Sequence, residues 1–575
     1  MTARVLLGLA LGAAFAGGGL APLTAQRAPG VADLVVINGT VLTMDRADTR
    51  AQALAIRDGR IVEVGGDDVV RAWLGPSTRV VDAHGRTVIP GLIDSHVHAL
   101  GAAPVEAVRP FRTLASVGEL QEWLRDEARR SPAPGWIWSP RVYPTRLKEG
   151  RFPTRAELDA AVPDRPAVAD GAYAFVLNSA ALRAAGITAD APDPAGAQIV
   201  RDSRGEPTGL LRNARAALAR YLPAPTAGLP LEQIEALHRV YLESGITSVV
   251  ERGASVDGYR AYEALKASGR LHVRATVTLM LPAGMQAADA VRVIEALPLK
   301  PGQGDDRLKV GPLKLTVDGG ILLGTSFMRE PYGPPSRALY GVQGDRYRGF
   351  LSVQPEVIHA VMAAGHARGW QMSAHVTGDA GVDVVLDAFE AAQRAHPRPD
   401  ARHTLIHAYF PTPEVARRTA ALGVLVDTQP AWFYKDADAL IAALGALRLE
   451  RFIGVKTWRN AGVRVALNTD HMFGADRDTA MNPFNPFLTM ATAVTRRTES
   501  GRVLGPSEAV TRLEALRMMT IDAAAMSFDE ANRGSIEVGK LGDVAILSDD
   551  LLACPEDRIR HIRSDVTIVG GSVVR

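Results

Sequence analysis

Between residues 245 and 470 the chain alternates two hydrophobic patterns. One is a short, unbroken apolar run rich in β-branched residues: "GITSVVERGA" (245–254), "LHVRATVTLML" (271–281), "GPLKLTVDGG" (311–320), "WQMSAHVTGD" (370–379), "ARHTLIHAYF" (401–410), "LGVLVDTQP" (422–430) and "GVRVALNTD" (462–470). Such runs predict strands covered on both faces. The other pattern repeats every three to four residues, as in "PEVIHAVMAAGHARG" and "AGVDVVLDAFEAAQRAH", and predicts amphipathic helices between the strands. With "TVIPGLID" as the first strand there are eight strand–helix units, which predicts an α/β fold of the (β/α)8 barrel type. An open doubly wound sheet is the competing arrangement. No glycine-rich phosphate loop follows a strand, which counts against it.

The two ends of the chain read differently. "DLVVINGTVLTMD" and "AQALAIRDGRIVEVGG" place short β-branched runs around the turn dipeptides Asn38–Gly39 and Asp58–Gly59. "GDVAILSDD" and "DVTIVGGSVVR" repeat that pattern near the C-terminus. Residues 28–90 and 533–575 are therefore expected to form one composite β domain, with the barrel built from 91–104 and 233–532. Residues 105–232 interrupt the series. They hold Trp123, Trp136 and Trp138, and "DAPDPAGAQIVRDSRGEPTG" predicts turns and a small hairpin. This segment is expected to be an inserted subdomain over the barrel mouth.

At the start, Arg4 precedes "VLLGLALGAAFAGGGLAPLTAQ". One positive charge, an apolar stretch and then small residues predict a secretory signal peptide over residues 1–25, and export to the periplasm or medium. No other stretch is apolar and long enough to cross a bilayer, so integral membrane association is not expected. The 575 residues carry 65 Lys+Arg against 63 Asp+Glu, a net charge of +2, which gives no reason to expect a nucleic-acid partner. The one cysteine, Cys554, excludes an intrachain disulfide and lies far from the histidine motifs. A small-molecule substrate is the expected partner, and the composition leaves room for a homo-oligomer.

The candidate chemistry sits at strand ends. In a barrel of this type the active site lies at the carboxyl ends of the strands. There the sequence puts His96 and His98 after the first strand, Lys314 on the fourth, His375 on the fifth, His407 on the sixth and Asp470 on the eighth. Residues i and i+2 of a strand share a side, so His96 and His98 can reach one ion. Neutral imidazoles suit zinc and similar divalent metals, and Asp470 adds an oxygen that binds the metal or takes a proton from its water. Metal-bound water ionises near neutral pH and supplies hydroxide. Burial and nearby positive charge lower a lysine's pKa, and a neutral Lys314 can add carbon dioxide to become a carbamate, an anion that bridges two metals. One or two divalent ions, zinc by default, are the expected cofactor.

Together these motifs resemble the amidohydrolase superfamily, and within it amidohydrolase family 3, the branch of N-substituted formamide deformylase-like proteins. The segments concerned are "VIPGLIDSHVH", "LKLTVDGG", "AHVTGDAGVDVVLDAFE", "RHTLIHA", "NTDHM" and "GSIEVGKLGDVAILSDD", with "FPTRAELDAAVPDRPAV" and "GEPTGLL" inside the insertion. They run from about residue 33 to the end. The resemblance implies a distorted (β/α)8 TIM-type barrel with a small β-sandwich made by both chain ends. It also implies a metal site of His96, His98, His375, His407 and Asp470 with Lys314 carbamylated. Hydroxide held by the metal would attack an amide-type carbonyl, and Asp470 would carry the proton to the leaving nitrogen. Hydrolysis of a cyclic amide or an ester at the same site is the alternative chemistry. An exported ligand-binding barrel without catalysis is the alternative of another class, and the presence of every expected ligand argues against it.

The chain departs from the branch in two places. Tyr173 stands near a position that is commonly histidine, and Gly324 replaces an arginine beside the apolar run Ile321–Leu323. Both changes imply a less polar or differently anchored substrate pocket. The loop "MREPYGPPSRALYGVQGDRYRGF" (328–350) mixes Arg329, Arg337, Tyr332 and Tyr340 with glycine and proline. Loops on this face shape specificity, which makes Arg329 and Tyr332, with Tyr173, candidates for substrate binding. Asp379 is expected to cap a helix or to orient His375.

Overall fold

The computed structural model describes residues 30–131, 135–222, 229–282 and 284–575; the segment read as a signal peptide lies outside the described residues. Eight parallel strands form one sheet in sequence order: β1 (Leu92–Val97), β2 (Ile246–Ala254), β3 (Arg274–Met280), β4 (Leu308–Thr316), β5 (Met372–Val376), β6 (Thr404–His407), β7 (Leu425–Thr428) and β8 (Val465–Leu467). The fold is a distorted (β/α)8 barrel. Among the described residues no ladder joins β8 to β1. The seam closes beyond β8, where Val97 makes an isolated parallel bridge with His471 and the His98 amide donates to the His471 carbonyl at 2.8 Å. Thr469 reinforces it, donating its amide and hydroxyl to Asp94 at 3.2 and 2.6 Å.

The strands read as unbroken apolar runs because both faces are covered. β5, β6, β7 and β8 are buried along their whole length. Outside them, the helix Asp379–Ala395 buries Val382, Val385, Leu386 and Phe389, a spacing that follows the helical repeat.

One expected strand divides in two. "TVIPGLID" holds Thr87–Pro90, which pairs in a different sheet, and β1, which begins at Leu92. Gly91 is the joint. A Cβ there would meet Thr247 Oγ1 at 2.2 Å, so only glycine lets the chain pass from one sheet to the other.

Thr87–Pro90 joins a six-stranded sheet that includes Thr40–Leu42, Val544–Leu547 and Ser564–Val569. A four-stranded sheet, with Leu34–Ile37 and Ala53–Arg57 at its centre, packs against it. Leu34, Val36, Leu54 and Ile56 meet Val88, Val544 and Ile568 between the sheets, whereas Val35 and Ile37 pack behind against Ala53, Ala55 and Val70. A buried ion pair fastens this layer to the barrel: Arg274 of β3 donates to Asp543 at 2.5 and 2.8 Å.

The insertion carries more β structure than its turn-rich composition suggests. It holds a five-stranded sheet in the order Gln198–Arg201, Pro207–Arg212, Ala174–Leu177, Ala167–Asp170, Ile137–Arg141. Among the described residues, no helix is long and apolar enough to cross a membrane.

Candidate active site

The strand ends named from the sequence converge. His96 ends β1 buried, and His98 begins the turn into the helix Ala99–Val108. Their Nε2 atoms are 3.2 Å apart, and Asp470 Oδ1 lies 3.3 Å from one and 3.4 Å from the other. These three residues form the one cluster of His, Cys, Asp or Glu ligands found among the described residues. Lys314 Nζ on β4 is 3.4 Å from His96 Nε2 and donates to the Arg252 carbonyl at 3.3 Å. His375 and His407, from β5 and β6, form an adjoining pair, with Nδ1 of the first 2.8 Å from Nε2 of the second.

The hydrogen bonds around this pair fix which nitrogens carry protons. His375 Nε2 donates to the Gly319 carbonyl at 3.0 Å, so its Nδ1 keeps the lone pair. His407 Nδ1 donates to Gln429 Oε1 at 2.6 Å, and the Gln429 amide nitrogen donates to the Asp427 carbonyl at 3.3 Å, which settles the amide's orientation. Two lone pairs therefore face one another 2.8 Å apart with no hydrogen between them. Asp470 Oδ2 accepts from Trp432 Nε1 at 2.9 Å, whereas Asp470 Oδ1 is buried without a hydrogen-bond partner. Converging unshared pairs in a buried site are stabilised by a cation, and the donor set of imidazoles and one carboxylate fits a divalent metal.

Burial sets the protonation states. It holds His96 and His375 well below the usual imidazole range, with Lys314 adding to the effect at both. It lowers His407 to about 4, so these imidazoles are neutral at pH 7. Burial also lowers Lys314 to about 8, with Arg252 adding and Asp470 opposing. For Asp470 burial acts upward, but the neighbouring His98, His407 and Lys314 outweigh it and hold the carboxyl below its usual range.

Two supports lie underneath. Asp427 of β7 accepts from Ser95 Oγ and Asn468 Nδ2, both at 2.5 Å, and from Arg252 Nη2 at 2.9 Å. Arg252 also donates through Nε to the Ser95 carbonyl, so one buried ion pair braces the residues beside His96 and before Asp470. Asp318, the aspartate of "LKLTVDGG", accepts from the amides of Thr377, Gly378 and Phe327. That clamp holds the Gly319 carbonyl against His375. His407 and Asp470 take left-handed backbone angles, φ 78° and 50°, uncommon outside glycine though Asp and His adopt them more readily than most.

Above the cluster is a cavity of about 290 Å³. Ile321, Leu322, Leu323, Met280, Met472, Phe473 and Trp432 give it an apolar lining. Tyr173 lines it too, with its hydroxyl 3.5 Å from His375 Nδ1.

Arg329 and Tyr332 do not. Arg329 Nε donates to Asp383 at 2.7 Å and its amide to Asp379, while buried Tyr332 donates its hydroxyl to the Ser326 carbonyl at 3.0 Å. Each is engaged in holding its own loop. Asp379 begins a helix and accepts from Arg329, away from His375. Gly324 stands outside the cavity wall with φ +67°, and a Cβ there would meet the Tyr340 ring at 2.6 Å. Backbone geometry accounts for this glycine; Ile321–Leu323 make the wall apolar.

Arg141, Tyr143, Tyr409 and Trp432, not among the residues expected from the sequence, also line the cavity. Gln429 lies within "LVDTQP" and Trp432 two residues past it, so the carboxyl end of the seventh strand pointed to them. Arg141 and Tyr143 come from the insertion, at and just past its short strand Ile137–Arg141, which shares no repeat with the barrel strands.

Residues 79–575 match the amidohydrolase family. An N-substituted formamide deformylase of Arthrobacter pascens is 30% identical to this chain over 94% of it and 97% of its own length. Protein LONG AFTER FAR-RED 3 of Arabidopsis thaliana is 28% identical over 90% of this chain and 87% of its own. Among solved structures, an uncharacterised metal-dependent hydrolase from Pyrococcus horikoshii OT3 matches with a TM-score of 0.65 at 22% identity, covering 91% of this chain and 99% of that one. At that identity the likeness speaks for the fold.

Proposed function

The chain belongs to the amidohydrolase family and is a metal-dependent hydrolase of carbon–nitrogen bonds, and from that premise we propose that it cleaves an open-chain N-acyl bond, such as that of an N-substituted formamide, in a small molecule. The observation that carries this reading is the meeting of His96, His98, Asp470, Lys314, His375 and His407 at the floor of one cavity. The likeness to a formamide deformylase over nearly the whole chain supports the substrate class.

His96, His98 and Asp470 would hold one divalent ion, zinc by ligand type, and His375 with His407 would hold a second. Such an ion supplies hydroxide at neutral pH and polarises the amide carbonyl. Lys314 is suited to link the two sets. Lowered to about 8, its amine has an available lone pair that adds to carbon dioxide with loss of a proton, which leaves an anionic carbamate. Asp470 Oδ1 takes the proton of the attacking water and returns it to the departing nitrogen, while Trp432 fixes the carboxylate through Oδ2. The apolar wall of Ile321–Leu323 keeps bulk water from the reacting carbonyl.

The test is metal content and turnover together. Protein purified without chelator and with bicarbonate, beside Lys314→Ala, is assayed for metal per chain and for release of formate and amine from N-benzylformamide and related formamides. Near two metals in the parent, loss of one or both in Lys314→Ala, and equal release of acid and amine support the reading. Near one metal in both removes Lys314 from the site. Full metal with no turnover of any formamide or acetamide overturns the substrate class.

A further inference from the structure

The cavity wall holds one charged side chain that the hydrolytic chemistry does not use. Arg141 ends the insertion strand Ile137–Arg141, pairs in register with Asp170, and lines the cavity beside Tyr143 and Tyr173. Its Nη1 forms an ion pair with Asp170, and Arg215 comes within 3.8 Å of the same carboxylate. Two guanidiniums thus share one carboxylate, which leaves an excess positive charge. Arg141 Nε is buried with no hydrogen-bond partner among the described residues. The guanidinium stands 5.7 Å from the centre of the Phe473 ring.

Arg212, Arg252 and Arg533 also bury one nitrogen without a partner, but of these arginines Arg141 alone lines the cavity, and two arginines nearby or in the core spend every nitrogen. Arg146, five residues on, gives Nε and Nη2 to Asp436 and Nη1 to the Met481 carbonyl. Arg496 gives all three of its nitrogens to backbone carbonyls. A charged group facing an apolar cavity with a donor unspent costs desolvation energy, which an anionic ligand offsets. Asp470 is the one carboxylate in the wall, and it belongs to the metal-ligand cluster.

We propose that Arg141 is a carboxylate subsite, so that the molecule whose N-acyl bond is cleaved also carries a carboxylate. This rests on the reading of the site as an N-acyl hydrolase. With Nη1 held by Asp170 and Nε buried, Nη2 is the donor left to pair with a carboxylate in the cavity, in a charge-assisted hydrogen bond. The apolar wall of Ile321–Leu323 faces the rest of the substrate.

The experiment compares N-formylphenylalanine with N-formylphenethylamine, the same skeleton without the carboxylate, on the metal-loaded enzyme. Wild type is expected to favour the acid by at least about tenfold in kcat/KM. Arg141→Met is expected to reduce that ratio about tenfold or more, as is Arg141→Met with Asp170→Asn, which removes both charges and guards against misfolding. A ratio of one in wild type, or a ratio that neither variant changes, overturns the subsite.

Binding separates this outcome from failure of the hydrolase reading. If wild type cleaves neither compound, calorimetry with 3-phenylpropionate and 3-phenylpropionamide reads Arg141 alone. A Kd for the acid about tenfold weaker in Arg141→Met upholds the subsite while the substrate assignment falls. A Kd that does not depend on Arg141, as for a carboxylate held only by metal, or no binding at all, overturns it.

Discussion

Asp470 has two oxygens with two different surroundings, and that asymmetry decides what its replacement does. Oδ2 is fixed by Trp432, and Oδ1 faces the His96–His98 pair. Asp470→Asn keeps an oxygen for Trp432 but loses the anionic proton acceptor. Its kcat is expected to fall roughly 10²–10⁴-fold, the range for loss of a general base, measured at saturating metal so that weaker binding is not mistaken for lost chemistry. Gln429 acts one step away, because its Oε1 holds the proton of His407 on Nδ1 and leaves Nε2 free. Gln429→Leu frees the imidazole to choose either tautomer. Metal affinity, by chelator competition, is expected to weaken about 10- to 100-fold with the unfolding midpoint of the metal-free protein little changed. The meeting of the strand-end residues was legible in the sequence because a strand carries its end residues to a fixed place. The placement of Arg329 and Tyr332 was not, since residue type in a loop does not say which way a side chain points.

Four strands depend on one buried carboxylate. Asp427 on β7 holds Arg252 from β2, Ser95 from β1 and Asn468 just past β8, and both members of the ion pair are fully buried. Removing one member strands the other charge in the interior. Asp427→Ala is expected to cost about 3–5 kcal/mol in urea unfolding of the metal-free protein. Asp427→Leu combined with Arg252→Met is expected to recover much of that loss, and equal destabilisation by the single and double variants would contradict the account. Such a cross-strand brace has no local pattern, so sequence periodicity revealed the strands without revealing it. The same limit explains the first strand. "TVIPGLID" is one apolar run, and only the approach of Thr247 to Gly91 shows where it changes sheets. It explains the insertion as well, where strands of four to six residues are separated by turns and share no repeat.

At the scale of the whole molecule, the acid limit of stability distinguishes buried histidines from buried ion pairs. Asp543 is pushed up by burial but pulled down further by Arg274, and it ends below its ordinary value. Its contribution is complete above the unfolded carboxyl pKa of about 3.9 and is lost as pH falls below that. His238 behaves differently. It is fully buried in the helix Leu231–Glu243, stacks 5.5 Å from Tyr262, has no partner for Nδ1, and is lowered by burial to about 3. Between an unfolded pKa of about 6.5 and that value, the unfolded chain holds a proton that the folded chain refuses. Stability is therefore full above that range and falls with decreasing pH by about 1.4 kcal/mol per unit for this residue alone. The window from pH 4 to 6 isolates it from Asp543. Phenylalanine keeps the stacked ring and removes the titration, so His238→Phe is expected to flatten the slope of unfolding free energy against pH by about that amount in chelator. Equal slopes in the two proteins would mean that His238 already takes up its proton in the folded state, and the acid sensitivity would then belong to groups elsewhere in the barrel.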